Sequence, residues 1–283
     1  MNRLNNKERA AIIRALVEGN SLRSTTRLTG RSINTVTKLL VDLGDACAAY
    51  QNEHVRFLDC QRIQADEIWA YCYSKARNVP EDKSGTFGYG DVWTWTAIDP
   101  DTKLIVTWLV SDRSTDSARR MMRDLASRLA YPPQITTDGH TSYLTAIEDA
   151  FGSDVDYGQM LKEYGTMPSE DGSPTARRYS PNTVTSVERK TISGSPDPDY
   201  INTSHVERAN LTMRMGMRRF TRLTNGFSKK VENHAAAVAL HFMYINFARP
   251  MKVLANPYPR TPAMAAGISD HVWTCEEIAA LLD

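Results

Sequence analysis

The sequence lacks a long hydrophobic run and has few cysteines, and both absences narrow the class of protein. No stretch approaches about eighteen consecutive apolar residues, so no membrane span is expected. The four cysteines lie far apart and none forms a C-x-x-C pair, which argues against a zinc knuckle or a disulfide framework. The first residues carry no apolar core of a signal peptide, so a reducing cytoplasm is the expected compartment.

Neither sign of charge is in large excess, but the charges are unevenly distributed. The chain of 283 residues has 34 Lys and Arg against 33 Asp and Glu, a net charge of +1. The net charge is +4 over residues 1–52, −7 over residues 53–200, +7 over residues 201–252 and −3 over residues 253–283. Two basic blocks around an acidic middle are typical of a protein that contacts phosphates in two places. The alternative is that the charge differs at random between solvent-exposed faces and marks no binding surface.

The N-terminal basic block has the pattern of three helices. Apolar residues recur at helical spacing over residues 6–18, Ser21 can cap a second helix, and Ser32 can cap a third after a tight turn at Gly30. This order predicts a helix-turn-helix DNA-binding domain over residues 1–52, although a plain three-helix module would share it. A third helix in the major groove would read bases with its first polar residues. The candidates are Ser32, Asn34, Thr35 and Lys38.

The central block has the order β-β-β-α-β-α-β followed by a helix, which is the ribonuclease H-like order. Strands are expected at 62–71, 92–98, 103–110, 134–137 and 155–161, with helices at 114–130 and 141–151. Residues 165–200 are rich in Gly, Pro, Ser and Asp and are predicted to form a loop-rich insertion with a hairpin at 183–192. The sequence therefore predicts an α/β catalytic domain over residues 53–252, with a mixed sheet flanked by helices. A tail with a short helix follows over residues 253–283.

Three carboxylates fall where this fold would bring them together. Asp66 lies within the first strand, Asp138 at the end of the fourth strand, and Glu207 in the first turns of the following helix. Converging carboxylates repel by several kcal/mol at about 4 Å in a medium of dielectric ~20, and a divalent cation removes that penalty. Oxygen ligands suit Mg²⁺ or Mn²⁺, and two ions about 3.5–4 Å apart can activate an attacking oxygen at a phosphodiester. Each residue alone also fits an ordinary strand end, turn or helix start.

Other polar residues near the predicted triad have competing interpretations. Glu67 follows Asp66 directly and should face the opposite side of the strand, which favours a structural role. Glu188 repeats the Val-Glu-Arg pattern of Glu207 but lies in the insertion, so it ranks below Glu207. His140 either touches the site from the Asp138 turn or caps the next helix.

The helix that carries Glu207 also carries a basic stripe. Steps of three and four residues place Glu207, Asn210, Arg214, Arg218 and Arg222 along one face of a long helix. Arginine binds phosphate oxygens in a bidentate manner, so this face is predicted to contact the DNA backbone.

Together these motifs resemble the transposases of insertion sequence one, within the Asp-Asp-Glu (DDE) transposases related to retroviral integrases. The matching motifs are Asp66-Glu67-Ile68-Trp69, Thr137-Asp138-Gly139-His140, Ser204-His205-Val206-Glu207-Arg208-Ala209-Asn210-Leu211 with Arg214, Arg218-Arg219-Phe220-Thr221-Arg222 and Phe227-Ser228-Lys229. Many relatives carry a cysteine zinc finger before the helix-turn-helix, whose cysteines are absent here. DNA-end recognition is therefore expected to rest on the helix-turn-helix alone.

The resemblance implies a metal-dependent DNA recombinase of an insertion sequence. It would bind the terminal inverted repeats, hydrolyse a phosphodiester and transfer the freed 3′-hydroxyl into target DNA. Asp66, Asp138 and Glu207 would hold the ions, with His140, His205 and Arg208 as candidate auxiliary residues. A homodimer or larger assembly would join two DNA ends in the prokaryotic nucleoid. A nuclease that cleaves without joining and a non-catalytic DNA-binding regulator are the alternatives.

Overall fold

The described residues form one six-stranded mixed sheet with helices packed around it. The computed structural model describes residues 4–165, 183–221 and 225–283. Its helices are α1 (Asn6–Val17), α2 (Leu22–Thr29), α3 (Ile33–His54), α4 (Thr115–Arg128), α5 (Ser142–Phe151), α6 (Ser204–Gly216), α7 (Val231–Met243), α8 (Pro262–Ala265) and α9 (Cys275–Ala280). Its strands are β1 (Arg62–Cys72), β2 (Gly90–Ile98), β3 (Ile105–Ser111), β4 (Gln134–Thr137), β5 (Tyr157–Gly165) and β6 (Thr183–Ser193).

The sheet has the strand order β3-β2-β1-β4-β5-β6. Strands β1, β2 and β3 form an antiparallel meander, whereas β4 runs parallel to both β1 and β5. This arrangement confirms the predicted ribonuclease H-like mixed sheet, including the prediction that the first and fourth strands are neighbours. Strand β1 is therefore central, which explains why its residues are buried on both faces.

The predicted hairpin at residues 183–192 is wrong. That run forms one continuous strand, β6, which pairs antiparallel with β5 at the edge of the sheet. Its β-branched residues, such as Val184 and Val187, favour a strand. This strand pairs with β5 and not with a second strand within residues 183–192. Part of the predicted loop-rich insertion therefore extends the main sheet, and residues 166–182 of it lie outside the described residues.

The three N-terminal helices begin and turn at the predicted residues. The Ser21 and Ser32 side chains accept hydrogen bonds from backbone N–H groups in the first turns of α2 and α3. Gly30, between the two helices, has a φ of 67°, in the region that only glycine adopts freely. The third helix is longer than the predicted short helix, since α3 has 22 residues and ends at His54.

The N-terminal helices share a hydrophobic core with the sheet. Ile13, Leu43 and Trp95 belong to the same cluster of buried residues, and α3 packs along α7. Helix α9, whose start is capped by Thr274 and Glu277 as predicted, packs against α1 and places Glu276 beside Arg14. The division into domains at residues 52 and 252 stays a prediction. Within the residues described, no helix is long and apolar enough to cross a membrane.

The contact between α3 and α7 depends on a glycine, and this gives a test of the packing. Gly44→Ala is expected to lower the free energy of unfolding by roughly 1–3 kcal/mol, because overpacking forces the two helices apart. The new methyl group would lie 2.4 Å from the Cα and Cβ of Ala236. Urea denaturation followed by circular dichroism measures the change.

Gly216→Ala is the matched control, because its methyl group would only reach ordinary contact, 3.5 Å from the His241 ring. It should leave the stability within about 0.5 kcal/mol or raise it. Equal stability of the two variants would show that α3 and α7 do not pack as described.

Candidate active site

The pairing of β1 with β4 sets two aspartates side by side. The parallel register runs from Arg62 opposite Gln134 to Ala65 opposite Thr137. Asp66 and Asp138 are the next residues, at the point where β4 ends and β1 continues. Their carboxylate oxygens lie within 4.8 Å of each other. The prediction that these two residues meet is therefore confirmed.

Helix α6 is attached to the same face of β1 by a side-chain cap. The Oε1 atom of Gln64 accepts hydrogen bonds from the backbone N–H groups of His205 and Val206, at 2.8 and 3.2 Å. The residue before α6, Thr203, gives no side-chain cap, so Gln64 satisfies amides that would otherwise have no partner. Gln64 and Asp66 are two residues apart and face the same side of the sheet. The cap therefore fixes the start of α6 next to the carboxylates.

Asp66 is held by two hydrogen bonds and has no cationic partner among the described residues. Its Oδ1 accepts from the backbone N–H of Glu67, and its Oδ2 accepts from Asn210 Nδ2, both at 2.8 Å. Burial, followed by the nearby charge of Asp138, raises the pKa of Asp66 to about 6. The charge of Glu207 acts in the same direction. The carboxylate is thus oriented but not neutralised.

Glu67 is closer to the site than the alternation of a strand predicts. It does face the opposite side, where Arg113 Nε donates to its Oε1 at 2.8 Å and Tyr143 donates to its Oε2 at 3.1 Å. One of its carboxylate oxygens nevertheless lies within 4.8 Å of both aspartates. Burial, with the charges of Asp138 and Asp66, raises the pKa of Glu67 to about 7. A structural role fits its partners, and its charge adds to the acidic cluster.

The structure does not bring Glu207 into the cluster formed by Asp66, Glu67 and Asp138. Its Oε1 instead pairs with the ammonium group of Lys162 on β5 and accepts a hydrogen bond from the Thr203 hydroxyl. Glu207 lines the same cavity as the aspartates, which has a volume of about 760 Å³. Its side chain is 45% exposed, so it is not enclosed in a packed core.

The donor set in this cavity fits a divalent cation. Carboxylate oxygens that converge without a cation are the ligands that Mg²⁺ and Mn²⁺ prefer. Asn210 Oδ1 is buried here without a hydrogen-bond partner, although buried polar atoms normally have one. Asp66 and Asp138 would hold such an ion, and Glu207 lies on the wall of the same cavity. Asn210, predicted to contact DNA, is instead engaged with Asp66.

The three candidate auxiliary residues lie in different environments. The backbone N–H of His140 donates to Asp138 Oδ1 at 3.0 Å, and its ring Nε2 is buried without a hydrogen bond, 3.9 Å from Glu67. His205 points to Lys103, with 3.2 Å between Nδ1 and Nζ, and so lies away from the carboxylates. Arg208 is exposed and lines the carboxylate cavity. Burial lowers the pKa of both histidines.

The predicted basic stripe is interrupted, which corrects the long helix expected from the sequence. Helix α6 ends at Gly216, where the chain turns extended at Met217 and then forms a 3₁₀ turn. Arg214 lines the carboxylate cavity with Glu207. Arg218 lies past the end of the helix, so helical spacing from Arg214 does not apply to it. Arg222 lies outside the described residues.

The predicted base-reading residues lie at the start of α3. Asn34 and Lys38 are exposed, and Lys38 pairs with Asp42 one turn later, at 2.5 Å. Ser32 accepts from the Thr35 N–H and its hydroxyl lies 2.9 Å from that of Thr35, so both take part in the helix cap. Exposed pairs of this kind contribute little free energy and can open to a phosphate. Contact of these residues with DNA stays a prediction.

Several residues that shape the site were missed by the sequence analysis. They are Gln64, Arg113, Tyr143, Lys162 and Thr203. A buried Glu67 next to Asp66 implied a cationic or hydroxyl partner, since buried carboxylates are rarely unpaired. The identity of that partner depends on how α5 and the loop before α4 pack, and a single sequence carries no signal for it.

Comparison with known proteins supports a DDE transposase. Residues 89–163 match a family model, DDE_Tnp_IS240, described as a DDE domain. The match runs from the start of β2 into β5 and contains Asp138, but neither Asp66 nor Glu207. It covers about a quarter of the chain and does not specify the insertion-sequence-one family. No curated protein matches the chain.

The raised carboxyl pKa values predict that the metal-free protein loses stability as the pH rises. The unfolded chain releases the Glu67 proton near pH 4.5, whereas the folded chain keeps it up to about 7, so stability falls between these values. One pKa unit corresponds to about 1.4 kcal/mol. Glu67→Gln should therefore lose about 2 kcal/mol less stability than wild type between about pH 5 and 8, measured by urea denaturation in EDTA.

Glu148→Gln serves as the control, because Glu148 is exposed on α5 and lies away from the cluster. Its pH dependence should match that of the wild type. If Glu67→Gln lost as much stability as the wild type over this pH range, the raised pKa of Glu67 would not be the cause of the loss.

Proposed function

We propose that the protein is the DNA transposase of an insertion sequence, of the kind found in insertion sequence one. The observation that carries this proposal is the pair of aspartates set side by side by the parallel register of β1 and β4, with Glu207 on the wall of the same cavity. The match of residues 89–163 to a DDE domain supports it from an independent direction. The substrates would be the terminal inverted repeats and a target DNA.

The residues of the cavity divide into those that would hold ions and those that would hold phosphate. Asp66 and Asp138 would bind Mg²⁺ or Mn²⁺, with Glu207 completing the set and two ions in total. Such ions, when bound, activate an attacking oxygen and neutralise charge at a phosphodiester. Arg208 and Arg214 line the same cavity and can bind non-bridging phosphate oxygens.

The supporting residues orient the two aspartates before any substrate binds. Asn210 and the Glu67 N–H orient Asp66, and the His140 N–H orients Asp138. Lys162 neutralises Glu207 and would be freed to contact phosphate when Glu207 turns to an ion. Preorganised groups of this kind lower the barrier because little reorganisation remains at the moment of reaction.

The N-terminal helices would recognise the inverted repeats through the start of α3. Because two DNA ends must be joined to one target, we infer that the active form is a homodimer or a larger assembly. No covalent protein–DNA intermediate is needed, since water attacks first and the freed 3′-hydroxyl attacks second.

The triad is tested by single substitutions assayed for both cleavage and joining. Asp66→Asn, Asp138→Asn and Glu207→Gln should each lower cleavage of end DNA and joining to a target plasmid by about a thousandfold. None of these substitutions should unfold the protein, because Asp66 and Asp138 repel each other and the Glu207 side chain is 45% exposed, and thermal melting in EDTA checks this point.

Glu188→Gln is the matched control, because Glu188 has the same Val-Glu-Arg context but is exposed on β6. It should retain wild-type activity. If the wild type cleaved DNA without joining it to a target, the protein would be a nuclease and not a transposase. Full activity of the Asp66 and Asp138 variants would refute the proposed site.

A further inference from the structure

A groove runs between the N-terminal helices and the chain that follows α6. Two adjoining cavities of about 410 and 810 Å³ make up this groove, which we name the junction groove. The two cavities share the residues Gly19, Asn20, Ser21, Arg218, Asn225 and Gly226. One wall therefore belongs to the N-terminal helices and the other to the catalytic half of the chain.

Four exposed cations line the junction groove. Arg23 and Arg27 come from α2, and Arg218 and Lys229 come from the opposite wall. Among the residues that the structure describes, none of the four pairs with a carboxylate and no Asp or Glu lines either cavity. Arg219 also lines the groove, but its guanidinium donates to the Ser228 hydroxyl.

Four other cations of the N-terminal helices are neutralised, whereas Lys7 on α1 has no ion pair among the described residues. The pairs are Arg9 with Asp283, Arg14 with Glu276, Arg31 with Glu8, and Lys38 with Asp42. Of the three described cations of this block that lack an ion pair, Arg23 and Arg27 therefore lie at the junction groove. A concave surface lined by charge of one sign focuses its potential on the space inside it.

A close backbone contact holds the two walls together. A side chain on Gly19 would lie 3.0 Å from the carbonyl oxygen of Gly216 on the opposite wall. Within the catalytic wall, one on Gly226 would lie 2.6 Å from the carbonyl oxygen of Arg218. Gly19 also has a φ of 81°, which disfavours any other residue there. The cations on the two walls are thus positioned relative to each other before a ligand arrives.

The junction groove lies at the far end of α6 from the carboxylates. Glu207 lines the carboxylate cavity and Gly216 lines the groove. Gly216 lies nine positions after Glu207 on the helix, a rise of about 14 Å at ~1.5 Å per residue. Successive phosphates on one strand advance about 3.4 Å along the duplex axis, so a duplex whose axis runs parallel to α6 advances about four nucleotides over this length.

We propose that the junction groove binds the phosphate backbone of a DNA duplex about four nucleotides from the phosphodiester held at the carboxylates. The N-terminal helices and the catalytic sheet would then grip one duplex together. The position along the duplex rests on the proposed function, whereas backbone binding by the groove does not require cleavage. Unpaired arginines in a concave surface free of carboxylates fit the regularly spaced phosphates of a nucleic acid backbone.

The test is a double charge reversal, Arg27→Glu with Arg218→Glu, in the full chain. Binding to a labelled duplex of about 30 base pairs and arbitrary sequence is measured by fluorescence anisotropy over a range of KCl concentrations. The variant should bind roughly tenfold or more weakly, and the slope of log affinity against log salt should fall by about two. Arg27→Gln with Arg218→Gln removes the same contacts without adding negative charge and should reduce the slope equally.

Arg120→Glu with Arg123→Glu is the matched control, because it makes the same change of net charge on the exposed face of α4. Its salt slope should stay at the wild-type value. Salt slopes equal to that of the wild type in both double variants of Arg27 and Arg218 would overturn the proposal that the groove binds DNA. An equal loss of affinity in the α4 control would also overturn it, as would a wild-type protein that binds no duplex.

Cleavage of end DNA by the wild type is measured in parallel to separate the two proposals. Binding that depends on Arg27 and Arg218 in a protein that never cleaves would support the groove and refute the proposed function. Ethylation of single phosphates measures where along the duplex the groove binds. Ethylation about four nucleotides from the cleaved bond should block binding of the wild type but not of the double variants. If ethylation blocked binding only at other phosphates, the proposed distance of about four nucleotides would be wrong.

Discussion

The parallel register between β1 and β4 places two negative charges next to each other, and the surrounding structure is arranged around that repulsion. At about 4 Å and an effective dielectric of ~20, two carboxylates repel by about 4 kcal/mol. Asp66 and Asp138 have no cationic partner among the described residues, and the pKa of Asp66 rises to about 6. Glu67 adds a third acidic group from the opposite face of β1, partly compensated by Arg113. A protein that kept such a cluster only for its fold would gain stability by losing it, which is the physical reason to regard it as an ion site.

The rest of the site controls how the third carboxylate approaches. Gln64 caps α6 and Asn210 ties its second turn to Asp66, so the backbone of the helix is fixed against β1. Lys162 holds the Glu207 side chain away from the aspartates. Its ammonium group neutralises Glu207 until a divalent cation binds. Toward the other end of α6, the junction groove carries cations without an ion pair among the described residues, between walls that meet at Gly19 and Gly216. One helix thus connects the acidic cavity to a basic surface, which accounts for two basic blocks in a chain of nearly zero net charge.

The strand order and the meeting of Asp66 with Asp138 were predictable because alternation, turn residues and helical periodicity are local signals. What could not be predicted depends on partners far away in sequence. Strand β6 lies within a segment of loop-like composition and exists because β5 offers it an edge. The end of α6 at Gly216 is set by packing of the residues after it against the core, whereas helical spacing alone extended the stripe to Arg218. The pairing of Glu207 with Lys162 joins two elements whose contact no periodicity reveals.

A crystal structure with Mn²⁺ tests the central claim most directly, because anomalous scattering locates the ion independently of any activity. The carboxylate arrangement predicts Mn²⁺ between Asp66 and Asp138, with Glu207 moved off Lys162 to join them. An anomalous map without Mn²⁺ at the two aspartates, or with Glu207 still paired to Lys162 beside a bound ion, would contradict the three-carboxylate site.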